Sequence, residues 1–195
     1  GADGPTHNGS YDISFLRCLP DFIIMAPADE NECRQMLYTG FMSNAPCAVR
    51  YPRGSGIGAP VVKEMTLIPI GTGEVKRRGS RVAILSFGTT LELALNVGEE
   101  LDATVVNMRF VKPLDKKLLK EIIVGHEIVV TIEENVVAGG AGSAINELVA
   151  EGNDSSFIYN YGLPDRLIQH GTREDMLENA GLTTKSFLEF VKGVL

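Results

Sequence analysis

Short apolar runs alternate with amphipathic helical stretches along nearly the whole chain, and no other feature narrows the possible folds as far. Phe22-Ile-Ile-Met-Ala26, Cys47-Ala-Val-Arg-Tyr51, Val82-Ala-Ile-Leu-Ser86, Thr104-Val-Val-Asn-Met108 and Ile128-Val-Val-Thr-Ile132 are mostly apolar on both faces. Strands of a parallel sheet covered on both sides read this way. Between them, Asp29-x-x-Glu32 is a capping-box signature, followed by Cys33, Met36 and Leu37 on one helical face. Thr89-x-x-Glu92 predicts a second capped helix, reaching about residue 101. Asp115 predicts a third, with Leu118, Leu119, Ile122 and Ile123 as its buried stripe. A short helix is expected over 10–19, a helix over 141–149, a strand over 157–159, and two closing helices near 173–180 and 184–192. This alternation is that of an α/β protein with a doubly wound, mainly parallel sheet.

The pattern breaks at residues 54–73, where Gly54, Gly56, Gly58, Pro60, Pro69, Gly71 and Gly73 cluster. Such density of glycine and proline marks a linker. Residues 1–58 then hold one βαβ unit of a larger domain, 59–73 connect, and 74–195 form a second α/β domain expected to fold without the first. Glu74-Val-Lys and Arg81-Val-Ala flank Gly79-Ser80, predicting an antiparallel edge hairpin with the basic run of Lys76, Arg77, Arg78 and Arg81 solvated at its turn.

The net charge of −7 argues against a nucleic-acid partner, which needs a basic face. No apolar run approaches the roughly 18 residues of a membrane helix, so no membrane partner is expected. Cys18, Cys33 and Cys47 are widely spaced and fit reduced thiols in a cytoplasmic protein, with no metal site predicted. The chain opens at Gly1 without an initiator methionine and no signal peptide is visible; it is expected to be cut from something longer.

Ligands of open α/β sheets bind beyond the carboxyl ends of the strands, so the loops there carry the chemistry. The densest is Gly1-Ala-Asp-Gly-Pro-Thr-His-Asn-Gly9. The Asp3 carboxylate can accept from a sugar hydroxyl, the His7 imidazole can donate or accept at a carbonyl near neutral pH, and the glycines let backbone approach a ligand. A plain turn with a surface histidine is the other reading. Tyr51-Pro52-Arg53-Gly54 follows a strand and holds the Arg53 guanidinium in a stiff frame suited to forked binding of phosphate. A surface arginine serves equally well as an account of that position. Arg50, inside the strand, is expected to pair structurally. Gly139-Gly-Ala-Gly-Ser143 reads as a tight strand–helix turn, with anion binding as the alternative. Glu133 and Glu134, His126 and His170 read as structural or surface groups.

The Asp3-Gly-Pro-Thr-His7-x-Gly loop is similar to one in the pyrimidine-binding domain of transketolase-class enzymes. Ser14-Phe-Leu-Arg-Cys-Leu-Pro20, Ala48-Val-Arg-Tyr-Pro-Arg-Gly54, Met108-Arg-Phe-Val-Lys-Pro-Leu-Asp115, Glu133-Glu-Asn with Gly139-Gly-Ala-Gly-Ser143, and Gly162-Leu-Pro-Asp165 resemble the 1-deoxy-D-xylulose 5-phosphate synthases within that class. The resemblance spans the chain. It implies part of a pyrimidine-binding domain followed by a transketolase C-terminal domain. It also implies a thiamine-diphosphate- and Mg²⁺-dependent transferase, homodimeric when complete, that joins pyruvate to D-glyceraldehyde 3-phosphate with loss of CO₂, a step toward isoprenoids and thiamine. Carried over by residue, His7 would be catalytic at the pyruvate-derived intermediate, Asp3 would hold hydroxyls of the aldehyde, and Arg53 its phosphate. The Gly-Asp-Gly motif that anchors the diphosphate and Mg²⁺ and the glutamate that activates the cofactor fall outside this sequence. The chain alone is therefore expected to be inactive, with neither cofactor site. A subunit-packing or regulator-binding module, or a piece of another transketolase-class enzyme, is the alternative. In a plant the complete protein would be plastidic.

Overall fold

The computed structural model describes residues 4, 7–152 and 157–195. In chain order its elements begin with α1 (Asp12–Leu16), β1 (Ile23–Met25), α2 (Glu30–Met42), β2 (Cys47–Val49), β3 (Glu74–Arg77) and β4 (Val82–Phe87). Then come α3 (Leu91–Glu100), β5 (Thr104–Asn107), β6 (Phe110–Lys112), α4 (Lys116–Gly125) and β7 (Ile128–Val136). Finally come α5 (Ala141–Glu151), β8 (Ile158–Leu163), α6 (Arg173–Asn179) and α7 (Thr184–Gly193).

Five strands form the main sheet in the order β3-β5-β4-β7-β8, with β5, β4, β7 and β8 parallel. Both faces are covered, which is why these strands read as unbroken apolar runs. Ala83, Leu85 and Phe87 of β4 join Leu119, Ile122 and Ile145 in one core, while Val82 and Ile84 join Val97, Phe187 and Val191 in the other. The connection from β4 leads to β5 on one side, and that from β7 leads to β8 on the other. The crevice at the adjoining carboxyl ends of β4 and β7 is thus the switch point where such sheets accept ligands.

The predicted edge hairpin does not form. β3 is an antiparallel edge strand, but it pairs with β5, Val75 opposite Val106, rather than with β4. The basic run is neutralised residue by residue. Lys76 meets Glu74 at 3.2 Å, Arg77 meets Asp102 at 3.0 Å, Arg78 meets Glu121 at 3.9 Å and Arg81 meets Glu127 at 2.9 Å.

A second, three-stranded sheet runs β2-β1-β6. β1 and β2 are parallel around α2, as a βαβ unit requires. β6 is a strand that sequence reasoning missed. It arrives from the far side of the linker and pairs antiparallel with β1, Met25 opposite Phe110. Arg109 turns the chain into it with a φ of 60°. Its side chain meets the buried Glu32 at 2.6 Å and also pairs with Glu74. Glu32 further accepts from Asn107 Nδ2 and the Ala28 amide. Ile13, Ile24 and Ala26 lie in the same core as β4 and α4. The first segment is therefore packed into the unit formed by residues 74–195, and an independent fold for that unit would leave apolar surface bare.

The buried face of α2 is Glu32, Gln35, Met36, Thr39 and Gly40, and Leu37 points outward. The shift from the expected Cys33–Leu37 face has a cause in residues 58–68, which run extended along the helix. Glu30 accepts from the Gly58 amide, Asn31 from Val62, Gln35 from Thr66 and Thr39 from Ile68, at 2.6–3.0 Å. Polar side chains of the helix thus take the place of a strand partner for the connecting chain.

Helix starts divide in the same way. Asp29 caps α2 through the Glu32 amide at 2.7 Å. Thr89 does not cap α3, because residues 88–90 form a 3₁₀ turn and its hydroxyl donates to Glu134 at 3.0 Å. Asp115 caps α4 through the Leu118 amide at 3.0 Å and accepts from the Gly73 amide with its other oxygen. Asp115→Ala should cost about 1 kcal/mol or slightly more, since two amides lose an acceptor. Urea unfolding reads this directly, and an unchanged midpoint would show that water replaces both bonds.

Candidate active site

Three consecutive residues at the carboxyl end of β7 organise the region. Side chains alternate along a strand, so neighbours in sequence face opposite ways. Glu133 is fully buried, and its two oxygens accept from the Ala141 and Gly142 amides at 2.7 and 2.8 Å. The anion held by the glycine-rich turn is therefore the protein's own carboxylate. A Cβ on Gly140 would stand 2.4 Å from Glu133 Oε2, so no larger residue fits. Burial pushes the Glu133 carboxyl up to about 7, against the opposing pull of the two amides and of Arg50 and Arg17.

Glu134 faces the opposite way, toward the switch-point crevice. Its carboxylate accepts from Arg173 Nη2 at 2.5 Å and Thr89 at 3.0 Å, and its carbonyl accepts from Arg50. Asn135 accepts from the Ile13 amide at 3.2 Å and donates to Ser14 at 2.9 Å, fixing α1. Arg50 also meets Asp12 at 3.1 Å. Its expected structural role is what the contacts show. Glu133 and Glu134 are likewise engaged within the protein. His126 bridges the Ile122 carbonyl and Thr104, another internal role.

These contacts shape a cleft of about 270 Å³. His7 and Arg53 both line it, so the structure brings together two residues 46 positions apart. His7 sits exposed on a turn in which its amide donates to the Gly4 carbonyl at 3.2 Å. Arg53, exposed, lines the same cleft after Tyr51 and Pro52. Asp3, the third expected site residue, lies outside the described residues. Among the charged lining residues are Arg50, Arg53 and Arg173 against Asp12 and Glu134. Arg50–Asp12 and Arg173–Glu134 are ion pairs. A cavity of this size suits a small molecule, and an exposed guanidinium on its lining can engage an anionic group. Arg173 and Glu134 escaped sequence reasoning as cleft residues. The one signal of Arg173 was its position after the capping Thr172.

A second cleft of about 640 Å³ adjoins the first, between the start of α2 and residues 54–65. Tyr51, Pro52 and Arg173 line both and form the partition. Among the described residues no group of three or more His, Cys, Asp or Glu side chains could hold a metal ion.

Residues 71–186 match the family model of the transketolase C-terminal domain, and residues 1–57 that of the transketolase pyrimidine binding domain. The 1-deoxy-D-xylulose-5-phosphate synthase of Nitrosococcus oceani is 56% identical over 192 residues, covering 98% of this chain and 30% of that protein. That of Pseudoalteromonas translucida is 52% identical over 195 residues, covering 100% of this chain and 32% of its own length. The chain spans about a third of the length of these relatives. A solved split-gene transketolase, described as an inactive β4 tetramer, superposes with a TM-score of 0.85 at 29% identity, over 97% of this chain and 63% of that one. A transketolase from Campylobacter jejuni superposes with a TM-score of 0.73 at 20% identity, over 99% of this chain and 29% of that one, and shares the fold. The chain belongs to the transketolase family, through a C-terminal domain and the pyrimidine-binding segment packed against it, and along nearly its whole length it is similar to the 1-deoxy-D-xylulose-5-phosphate synthases.

Proposed function

We propose that this chain is the C-terminal part of a 1-deoxy-D-xylulose 5-phosphate synthase and supplies the aldehyde-facing end of its active site. The observation that carries the proposal is the single cleft lined by both His7 and Arg53 at the carboxyl ends of the strands. The identity to synthases supports it. In the complete enzyme, pyruvate and D-glyceraldehyde 3-phosphate are the substrates. Thiamine diphosphate and Mg²⁺ are held by parts outside this chain and supply the carbon nucleophile. Arg53 binds the aldehyde's phosphate as a charge-assisted fork. Asp3 accepts from its hydroxyls. His7, at the mouth of the cleft, hydrogen-bonds the reacting oxygen and moves its proton.

The complete enzyme would act in the cytoplasm, or in the plastid of a plant, as a homodimer. A packing role for this chain has one observation in its favour. Phe41, Leu37 and Met42 of α2 are exposed, with Phe15 and Leu19 also bare, an amount of apolar surface that proteins usually cover.

The test is a chimera. The chain replaces the matching third of the Nitrosococcus oceani synthase, and turnover of pyruvate with D-glyceraldehyde 3-phosphate is measured. The chimera should be active, and the 195-residue chain alone, given both substrates, Mg²⁺ and thiamine diphosphate, should not exceed a blank. A folded but inactive chimera would contradict the synthase reading, and turnover by the chain alone would contradict the absence of a cofactor anchor.

A further inference from the structure

Arg173 belongs to the first turn of α6, about 120 residues beyond the loop that carries Arg53, yet the two line one cleft. Two hydrogen bonds fix its guanidinium. Nη2 donates to Glu134 Oε2 at 2.5 Å and to Thr89 Oγ1 at 3.3 Å. Its Cδ lies 3.6 Å from where a Cβ on Gly54 would stand, so the stem runs beside the backbone directly after Arg53 and leaves no room for a further residue between them. Nε is buried and has no hydrogen-bond partner among the described residues. Glu134 is itself rigid, near the end of a central strand, and its carbonyl holds Arg50, three residues before Arg53.

The Tyr51–Gly54 turn needs such support. It has no regular secondary structure, and Gly54 has a φ of 147°. Tyr51 and Pro52 form, with Arg173, the thin wall between the two clefts. Arg173 also neutralises Glu134, which would otherwise present a carboxylate to an anion in the same cleft.

We infer that Arg173 is a positioning residue: the C-terminal domain uses the Glu134–Arg173 pair to brace the Arg53 turn and cancel a carboxylate beside the bound phosphate. The inference rests on the reading of the cleft given above. It assigns the C-terminal domain a part in substrate selection, acting through Arg53 rather than by its own contact with the ligand. A guanidinium tied to a strand, with its stem beside the turn, restricts the turn, and a preorganised turn binds more tightly than a loose one.

Two measurements on the 195-residue chain test it. In ¹⁵N relaxation NMR, Arg173→Met should lower the backbone order parameters of residues 51 and 53–55 to below about 0.6 and leave 82–87 and 128–132 unchanged. Unaltered order parameters at 51–55 would overturn the brace, whatever the ligand. In an NMR titration with D-glyceraldehyde 3-phosphate, Arg173→Met should weaken binding at least threefold, and Arg173→Lys less, since it can still pair with Glu134. Adding Arg173→Met to Arg53→Ala should bring no further loss, because one acts through the other. Losses that multiply would make Arg173 a direct ligand and overturn the positioning role. Absence of any response in the unmodified chain would instead remove the phosphorylated-aldehyde reading, and the relaxation result would still decide the brace.

Discussion

Raising the pH from 5 to 8 should destabilise the folded chain by roughly 2–3 kcal/mol through Glu133 alone, since its folded pKa of about 7 stands above the ordinary glutamate value of 4.5. Burial in the turn before α5 disfavours the charge more than the Ala141 and Gly142 amides restore it. Below about pH 4.5 the carboxyl is protonated in both states, and its contribution is fully present. As pH rises toward 7 the unfolded chain releases the proton first. It then binds fewer protons than the folded chain, and stability falls. The loss is complete once the folded group has also ionised. Glu133→Gln mimics the neutral acid and should remove this part of the slope. Urea unfolding of both proteins at pH 5 and pH 8 checks it. The variant should gain on the parent by that amount at the higher pH, and parallel pH dependences would show that Glu133 is ionised throughout.

The main sheet was legible because its strands are buried on both faces, and a run such as Val82–Phe87 leaves few other structures open. The misreadings share a physical origin. The turn at Gly79-Ser80 suits a hairpin locally, but β3 finds its partner in β5 across the chain, and no local signal reports that choice. β6 is only three residues long and is entered through Arg109 rather than a glycine, so neither length nor turn chemistry announced it. The polar face of α2 is buried because its side chains hold residues 58–68, a use that hydrophobic periodicity cannot register.

The site was partly legible for similar reasons. Arg53 follows a strand end inside a Pro–Gly frame, and the resemblance to the synthases gave His7 and Asp3 their roles. The partition of Glu133 and Glu134 follows from strand alternation, but which of the two faces the cleft depends on where α5 packs. Arg173 comes from a helix remote in sequence, and only the assembled fold brings it to Gly54.

Arg53→Ala, in the complete enzyme or the active chimera, should lower kcat/KM for D-glyceraldehyde 3-phosphate by about ten- to a hundredfold. A charge-assisted fork is worth roughly 1.5–3 kcal/mol net, and about 1.4 kcal/mol corresponds to a factor of ten. Arg53→Lys should recover only part, because an ammonium cannot engage two phosphate oxygens in one plane. His7→Ala should differ in kind, slowing turnover with any aldehyde. Arg53 and His7 line one cleft, and the separation of their roles is the central claim. The direct measurement is kcat/KM of Arg53→Ala with D-glyceraldehyde 3-phosphate and with unphosphorylated D-glyceraldehyde, side by side. The account predicts a large loss with the first and a far smaller one with the second, at unchanged KM for pyruvate. Equal losses with both aldehydes would contradict it and place the phosphate elsewhere.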